Sequence, residues 1–297
     1  MQTVIYSNKF KRNLIYTKTG LFMGPEIKMV ITDLDGTLLD DERKISKKNI
    51  DTLRWLGEKN ICRVIATGRN LFSAKKVLPD DIPLDYLIFS TGAGAIDWQT
   101  GELIYAAHLN EKEVALAIDT LIEKQMSFMV HDLVPDNHGF LYFDSKCGSS
   151  DFIKRIELYR DFAVPLNLNP PNYRHASQLL AIVPEDMTVL EDLRDKLSSL
   201  RLIRTTSPID GKSMWIEIFP SDVSKGHTVE WLCVRLDIDP EATVGTGNDY
   251  NDLDLLNFVK YPFAMANAPL TIRNIYSPCK SNNESGFANA VHQVLKQ

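Results

Sequence analysis

The sequence predicts an α/β fold in which a Rossmann-like core with a parallel sheet is interrupted by an inserted α/β domain. Over residues 29–89 short apolar runs alternate with helical patterns, as in a parallel sheet with helical crossovers. After residue 91 this alternation gives way to a mixed order of strands and helices. Towards the C-terminus the first pattern returns. We therefore predict a core of residues 29–91 and 206–297, and an inserted domain of residues 92–205.

The first half of the core is predicted from buried strands and one well-marked helix. Residues 29–32 form a short apolar run that ends in acid and glycine, which is typical of a buried strand. Ser46 is placed to cap a helix that ends near residue 57. The next predicted strands are residues 61–66 and 86–89.

The inserted domain and the second half of the core follow from similar patterns. Asn110 with Glu113 indicates a capping box at the start of a helix, and two more helices are predicted at residues 151–159 and 187–200. The strands predicted between residues 92 and 220 are 103–107, 127–130, 140–143, 179–183, 202–205 and 215–219. A helix at 227–236, a strand at 242–245, a helix around Leu253–Phe258 and a strand at 263–266 complete the prediction.

The first 28 residues differ from the rest. They are basic and lack the continuous apolar centre of a secretory signal. The sequence from Met29 looks like the natural start of a first strand. We expect residues 1–28 to be a loosely attached extension, or upstream sequence, whose deletion leaves activity intact.

Composition excludes several classes of function. The formal net charge is -6, so long-range attraction to nucleic acid or anionic membrane is not expected. No apolar run approaches the roughly 20 residues of a membrane span. The four cysteines are far apart and form no C-x-x-C pair, which argues against a disulfide framework or a zinc site. These features predict a reduced, cytoplasmic protein that is a monomer or a weak homo-oligomer.

The strongest local signal is Asp33-Leu34-Asp35-Gly36-Thr37, directly after the first predicted strand. Open α/β sheets bind their ligands at this end of their strands. Two carboxylates at this spacing, followed by glycine, can converge on one cation as the chain turns. A calcium loop is excluded because its twelfth position requires Glu, and Lys44 stands there.

Three weaker signals follow later strands or precede a helix. Thr67 and Gly68 end the second strand, where a hydroxyl and backbone amides suit a phosphate oxygen. Lys225 precedes a helix and can place a point charge on phosphate. Clustered oxygen-bearing side chains follow the strand at 242–245 and suit a hard divalent cation such as Mg²⁺: Asn248, Asp249, Asn251 and Asp252. Taken singly, each also fits ordinary helix capping or a solvated surface.

As an ordered set, these motifs resemble the haloacid dehalogenase superfamily, and within it the Cof-type phosphatases with an inserted α/β cap (type IIB). The matching stretches are DLDGTLLD, ATGR, SKG and GNDYNDLDLL, and the resemblance runs from residue 29 to the end. It implies a Rossmann-like core, a mobile cap and Mg²⁺ as cofactor.

The resemblance also implies roles for individual residues. Asp33 is the expected nucleophile, which forms an aspartyl-phosphate, and Asp35 the expected proton donor and acceptor. Thr67 with Gly68 is expected to hold a phosphoryl oxygen, and Lys225 to neutralise charge. The expected magnesium ligands are the Asp33 carboxylate, the Asp35 backbone carbonyl and motif four, through Asn248, Asp249 or Asp252, with Asn251 in support.

Two positions depart from the family pattern. Asn248 stands where the family usually has Asp, so either this amide or a neighbouring carboxylate supplies the metal ligand. Thr91-Gly92-Ala93 stands where the family often has Asn-Gly-Ala. The expected substrate contacts lie on this turn and on polar loops of the cap: Thr91, Gly92, His131, Asp136, His138 and Arg174, with Asp132, Asn137, Tyr173 and His175 as further candidates.

The predicted function is Mg²⁺-dependent hydrolysis of a small, sugar-phosphate-like metabolite through an aspartyl-phosphate. Two alternatives share these residues. A phosphomutase would return the phosphoryl group to a hexose phosphate, and a catalytically weakened relative would only bind a phosphosugar. The second alternative is suggested by Asn248 alone.

Overall fold

The computed structural model describes residues 26–146, 149–168 and 173–295. Most of the predicted extension, residues 1–25, lies outside the described residues. Its last residue, Lys28, belongs to the sheet: its amide donates to the Ala242 carbonyl over 2.9 Å, and its carbonyl accepts from the Cys62 amide over 2.8 Å. Hydrogen bonding to the core sheet therefore includes Lys28, one residue before Met29.

The described residues form strands and helices in an alternating order. The strands are β1 (Met29–Thr32), β2 (Cys62–Ala66), β3 (Tyr86–Phe89), β4 (Gly94–Asp97), β5 (Leu103–Ala106), β6 (Phe128–His131), β7 (Phe140–Phe143), β8 (Ala163–Pro165), β9 (Leu179–Val183), β10 (Leu200–Thr206), β11 (Met214–Pro220), β12 (Thr243–Gly247), β13 (Tyr261–Ala264) and β14 (Ser277–Pro278). The α-helices are α1 (Lys47–Glu58), α2 (Leu71–Lys75), α3 (Glu111–Glu123), α4 (Ser150–Leu158), α5 (Met187–Lys196), α6 (Lys225–Leu236), α7 (Leu253–Phe258), α8 (Leu270–Arg273) and α9 (Gly286–Leu295).

The core is a sheet with helices on both faces. Its eight strands have the order β14-β13-β12-β1-β2-β3-β4-β5. Pairing is parallel from β14 to β3 and antiparallel from β3 to β5. Successive strand residues point to opposite faces, so Ile65 packs in one cluster with Leu53 of α1, whereas Val64 packs in another with Leu232 of α6. This confirms the predicted Rossmann-like core.

The inserted domain is a second, mostly antiparallel sheet of order β10-β11-β9-β6-β7-β8. The β7–β8 pair is parallel. Helices α3 and α5 cover one face, where Ile118 and Leu193 share a core with Ile216. The opposite face carries Trp215 in a cluster with Phe152 of α4. The inserted α/β cap is therefore present, as predicted.

Sheet membership shifts both predicted domain boundaries. Strands β4 and β5 belong to the core sheet, although residues 92–106 were assigned to the insert. Strand β11 belongs to the inserted sheet, although residues 206–220 were assigned to the core. The polar turn after β3 reverses the chain into an antiparallel strand instead of leaving the sheet. The β11 strand pairs with both β10 and β9, which fixes it in the insert.

Several element ends also differ from prediction. Strand β10 begins at Leu200, inside the predicted helix 187–200, because its ladder with β11 extends to Pro220. The last long core strand, β13, lies two residues before the predicted 263–266. The short strands β4, β8 and β14 were not predicted, since two to four residues show too little periodicity.

No helix within the described ranges has the length and apolarity needed to cross a membrane. The sequence predicts no disulfide framework, and Cys62, Cys233 and Cys279 are free thiols. Cys147 lies outside the described residues.

The turn after β3 consists of three residues in left-handed backbone. Ser90, Thr91 and Gly92 have φ angles of 49°, 54° and 107°. A Cβ atom on Gly92 would lie 2.4 Å from the Ser224 carbonyl oxygen. Only glycine fits here, and its small size lets this turn lie directly against the start of α6.

We expect Gly92→Ala to lower the free energy of unfolding by about 3 kcal/mol or more, because it combines left-handed strain with overpacking. Gly101→Ala is the matched control. Its φ is +73°, but a Cβ there meets nothing within 4 Å, so only the strain of about 1 kcal/mol applies. Urea denaturation of both variants measures the difference, and equal losses would contradict the close packing against Ser224.

Candidate active site

The predicted catalytic residues meet where the carboxyl ends of β1, β2 and β12 lie side by side. Strand β1 pairs in parallel with both β2 and β12. Asp33 directly follows β1, Thr67 directly follows β2, and Asn248 directly follows β12. Parallel pairing therefore brings to one edge residues that are far apart in sequence, as expected for a ligand site of an open α/β sheet.

A buried lysine links the two halves of this edge. Lys225 is the first residue of α6, and Ser224 caps that helix by accepting from the His227 amide. The Lys225 side chain is fully buried, and its Nζ donates to Asp33 Oδ1 and to Asp252 Oδ1, each over 2.6 Å. Asn251 Oδ1 lies 3.5 Å from the same nitrogen. One cation thus bridges two carboxylates that belong to opposite ends of the chain.

Electrostatics couple these three charges. Burial raises the pKa of Asp33 to about 7; the charge of Asp252 adds to this effect, and Lys225 opposes it. For Lys225, burial works against the charged form, but the carboxylates of Asp252 and Asp33 outweigh it and raise the lysine pKa. The lysine therefore stays protonated and offsets the negative charge around the expected nucleophile.

Asp35 is held by an arginine of the second motif. Arg69 donates from Nε to Asp35 Oδ2 over 2.7 Å and from Nη2 to Asp35 Oδ1 over 2.6 Å. This two-bond geometry fixes the direction of a carboxylate better than a single contact. The Asp35 carboxylate is partly exposed, so it can reach a substrate at the edge.

Thr67 presents a free hydroxyl hydrogen at the edge. Its Oγ1 accepts from the Arg69 amide over 3.1 Å, and its side chain is buried. The hydroxyl hydrogen remains available for a phosphoryl oxygen. Gly68 lies beside it, where a Cβ would be 3.2 Å from Asn251 Nδ2 and 3.5 Å from Thr91 Oγ1.

The side chain of Asn248 lies where a cation would join the two aspartates. With its amide nitrogen turned toward them, Asn248 donates to the Asp35 carbonyl oxygen over 2.9 Å and to Asp33 Oδ2 over 3.2 Å. An amide oxygen in that place would instead complete a set of three oxygen ligands. One carboxylate with neutral oxygens suits Mg²⁺, which keeps several waters. These residues therefore fit the expected metal.

The other two expected ligands are engaged elsewhere. Asp252 Oδ2 accepts from the amides of Asn248 and Asp249, and its Oδ1 accepts from Lys225. Both carboxylate oxygens of Asp249 accept from Thr206, through its amide and its hydroxyl. The described residues contain no group of three or more His, Cys, Asp or Glu side chains placed to hold a metal ion. Of the three candidates in motif four, the geometry favours Asn248.

The expected substrate residues separate into two groups. Thr91 joins the core to the insert by donating to Glu217 over 2.8 Å, and the adjacent Gly92 carbonyl accepts from Thr228 of the core over 2.7 Å. His131 is linked to the same turn through Asn137, whose side chain donates to Ser90. His131 is buried on β6. The remaining three lie outside this junction or are engaged in packing.

Asp136 is exposed, and Arg174 forms an ion pair with Asp132 near the surface. His138 stacks on Phe72 at 4.6 Å between ring centroids and so packs α2 against the insert. The further candidate Tyr173 donates to Asp119, and the His175 ring lies 5.2 Å from the His108 ring at a tilt of 35°. The contacts described for these side chains are therefore with one another, with Phe72, with Asp119 and with His108.

Sequence reasoning missed two residues of the site. Arg69 was part of the second motif but received no role, and its spacing from Asp35 gave no sign of their contact. Glu217 is a single acid inside the apolar strand Met214–Pro220, and it is buried. An isolated charge within a buried strand is itself a signal, because such groups are buried only when they have partners.

Comparison with known proteins agrees with this architecture. The profile of the haloacid dehalogenase-like hydrolases matches residues 30–291. The putative phosphatase YxeH of Bacillus subtilis is 26% identical over 281 residues, which are 90% of this chain and 98% of that protein. The 5-amino-6-(5-phospho-D-ribitylamino)uracil phosphatase YwtE of the same organism is 26% identical over 291 residues, 91% of this chain and 98% of the relative.

A solved structure shows the same fold. The HAD subclass IIB sugar phosphatase BT4131 superposes with a TM-score of 0.70 at 18% identity, covering 90% of this chain and 98% of that one. The chain therefore belongs to the haloacid dehalogenase-like hydrolases, and it is an enzyme of the phosphatase type in that family. This confirms the resemblance drawn from the four motifs.

We expect Lys225→Met to lower the free energy of unfolding in metal-free buffer by about 3–5 kcal/mol, because it leaves two buried carboxylates without their cation. The double variant Lys225→Met/Asp252→Asn should recover part of this loss. Lys212→Met, at an exposed position, is the control and should change stability by less than about 0.5 kcal/mol. Urea denaturation is the measurement, and an unchanged stability of Lys225→Met would contradict the proposed charge balance.

Proposed function

We propose that this chain hydrolyses small phosphate monoesters of the sugar- or polyol-phosphate kind in a Mg²⁺-dependent reaction, with Asp33 as nucleophile and Asp35 as acid and base. The observation that carries the proposal is the placement of Asp33. Its carboxylate is buried at the end of β1 and is bonded to Lys225 over 2.6 Å. A fixed carboxylate beside a permanent cation is suited to attack a dianionic phosphate.

In the first step the Asp33 carboxylate attacks phosphorus and forms a new P–O bond, while the bond from phosphorus to the ester oxygen breaks. Asp35 gives its proton to that leaving oxygen. Thr67 donates its free hydroxyl hydrogen to a phosphoryl oxygen, and Lys225 offsets negative charge near Asp33. Most of the catalysis in such transfers comes from positioning and charge neutralisation.

In the second step Asp35, now ionised, accepts a proton from water, and the oxygen of this water attacks phosphorus. The bond from phosphorus to Asp33 breaks, and inorganic phosphate leaves. The two-step route divides one difficult transfer into two easier ones. The arginine fork on Asp35 keeps its carboxylate aimed at the same region in both steps.

Asp33, the Asp35 carbonyl and Asn248 are the residues that would hold Mg²⁺. When bound, the ion supplies positive charge to the phosphoryl oxygens. The proposal of a sugar or polyol substrate draws on two of the similar proteins, a sugar phosphatase and a phosphatase named for a phosphoribitylamino compound. Both names describe a phosphate on a hydroxylated carbon chain.

Asp33→Asn should abolish turnover of p-nitrophenyl phosphate, and Asp35→Asn should lower kcat for alkyl phosphates by about 10²–10⁴-fold, as for loss of a positioned acid and base. Asp81→Asn, at an exposed position, is the matched control and should keep wild-type activity. Steady-state assays with and without magnesium measure these effects. Undiminished turnover by Asp33→Asn would rule the proposal out.

Asn248→Asp should lower the magnesium concentration for half-maximal activity by at least about tenfold, because it adds a charged oxygen ligand. In chelator the same variant should melt at a lower temperature than the wild type, since it loses an amide donor and gains a charge beside Asp33. Thermal melting across a magnesium titration provides a readout separate from activity. An identical metal dependence for both proteins would show that Asn248 is not a metal ligand. A gain from near-zero activity in Asn248→Asp would instead favour the alternative of a catalytically weakened relative that binds a phosphosugar.

A further inference from the structure

The inserted sheet carries buried polar side chains on the face opposite to α3 and α5. Along β6 and β11, Val130 and Ile216 point into the core with those helices, so the adjacent His131 and Glu217 point the other way. Gln178 lies beside His131, whose amide donates to the Gln178 carbonyl over 2.9 Å. These polar residues stand on a surface that otherwise carries Met129, Leu180 and Trp215.

Three atoms of this group are buried without a hydrogen-bond partner among the described residues. They are His131 Nε2, Asn137 Oδ1 and Gln178 Oε1, on residues that are 2%, 1% and 5% exposed. His131 Nδ1 lies 2.8 Å from the Asn137 carbonyl oxygen and therefore carries the ring proton. Burial, with the nearby charge of Arg155, lowers the pKa of His131 to about 3, so its Nε2 is an acceptor. A buried acceptor without a hydrogen bond lowers the stability of the fold, and hydroxyl groups of a ligand would donate to these three atoms.

Direct bonds tie this group to the catalytic edge. Asn137 Nδ2 donates to Ser90 Oγ over 2.7 Å, and Glu217 accepts from Thr91. Ser90 and Thr91 form the turn that follows β3, and the Thr91 amide donates to the Thr67 carbonyl over 3.0 Å. The group is therefore connected, through the turn after β3, to Thr67, the residue expected to hold the phosphoryl group.

An arginine that forms no ion pair within the described residues borders the same surface. The guanidinium of Arg155, on α4, lies over the rings of Trp215 at 4.6 Å and Tyr159 at 5.1 Å. Its Nε is buried and has no hydrogen-bond partner among the described residues, although the charges of Glu217 and Asp151 lie near enough to act on it. Tyr159 in turn reaches the core, because its hydroxyl accepts from Asn70 over 3.4 Å.

The two nearest acids accept hydrogen bonds from other residues, although Asp151 Oδ1 has no partner among the described residues. Asp151 Oδ2 accepts from Ser207 and from the Trp215 indole, and Glu217 Oε2 accepts from Thr91 and Thr205. Burial raises the pKa of Glu217, which favours its neutral form, and the same effect lowers the pKa of Arg155. The planar fork of an arginine matches a carboxylate or a phosphate with two parallel bonds.

We propose that His131, Asn137, Gln178 and Arg155 bind the leaving group, and that this group is a polyhydroxylated chain bearing a second acidic group at its far end. The hydroxyls donate to the three unmet acceptors, and the acidic group pairs with Arg155. The inference rests on the proposed function, since it concerns the leaving group of that hydrolysis. The shared chemistry is an oxyanion, either a carboxylate or a second phosphate.

The test compares kcat/KM within two pairs of substrates. The members of the first pair differ only at the end remote from the reacting ester, and the members of the second differ only in one added phosphate. Sorbitol 6-phosphate against 6-phosphogluconate tests a carboxylate, and fructose 6-phosphate against fructose 1,6-bisphosphate tests a second phosphate. The wild type should prefer the acidic member of at least one pair by about 10–100-fold, the range of one charge-assisted hydrogen-bonded contact.

Arg155→Met should remove that preference, mainly through KM. Arg155→Lys keeps the charge and the aliphatic packing but loses the fork, so it should retain part of the preference and guards against a folding defect in Arg155→Met. Arg160→Met, at an exposed position just after α4, is the matched control and should behave as wild type.

Two results overturn the inference, provided that the wild type turns over p-nitrophenyl phosphate. One is an equal kcat/KM for both members of both pairs, and the other is an equal loss for acidic and neutral substrates in Arg155→Lys. Absence of Asp33-dependent turnover with every ester, p-nitrophenyl phosphate included, overturns the proposed function instead. The two failures are therefore distinguished within one set of assays.

Discussion

The bridge from Lys225 to Asp33 and Asp252 is the interaction on which the rest of the site depends. Both carboxylates are buried, and burying a charge is costly unless a charge of opposite sign lies beside it, as Lys225 does here. The bridge also joins residues 192 positions apart. Because α6 begins at Lys225 and β1 ends beside Asp33, the inserted domain can lie between the two halves without disturbing the catalytic edge.

The loop after β12 makes contacts with both the core and the insert. Toward the core, Asn248 reaches the Asp33 and Asp35 oxygens. Toward the insert, Asp249 bonds Thr206, and the Tyr250 ring lies 3.9 Å from the guanidinium of Arg204. The same short segment thus holds the candidate metal ligand and contacts the end of strand β10. Metal binding and the position of the insert are expected to influence each other through this loop.

Much of this architecture could be predicted from the sequence, because parallel strands place their last residues at one edge. Asp33, Thr67 and Asn248 each follow an apolar run, and that regularity is enough to bring them together. Contacts that depend on side-chain direction could not be predicted. The two bonds from Arg69 to Asp35 and the bonds from Thr206 to Asp249 depend on the folded backbone. Strand β4 could not be predicted either, because the left-handed residues of the turn before it are not recognisable from the sequence.

The central claim is that Asp33, held by Lys225, becomes phosphorylated during turnover. Acid quenching of the enzyme during steady-state hydrolysis, followed by borohydride reduction and peptide mass spectrometry, tests this directly, since borohydride reduces an aspartyl-phosphate but not a free aspartate. Reduction is predicted at Asp33 and at no other acidic residue. Continued release of phosphate with no reduced Asp33, or with reduction at a different aspartate, would contradict the account.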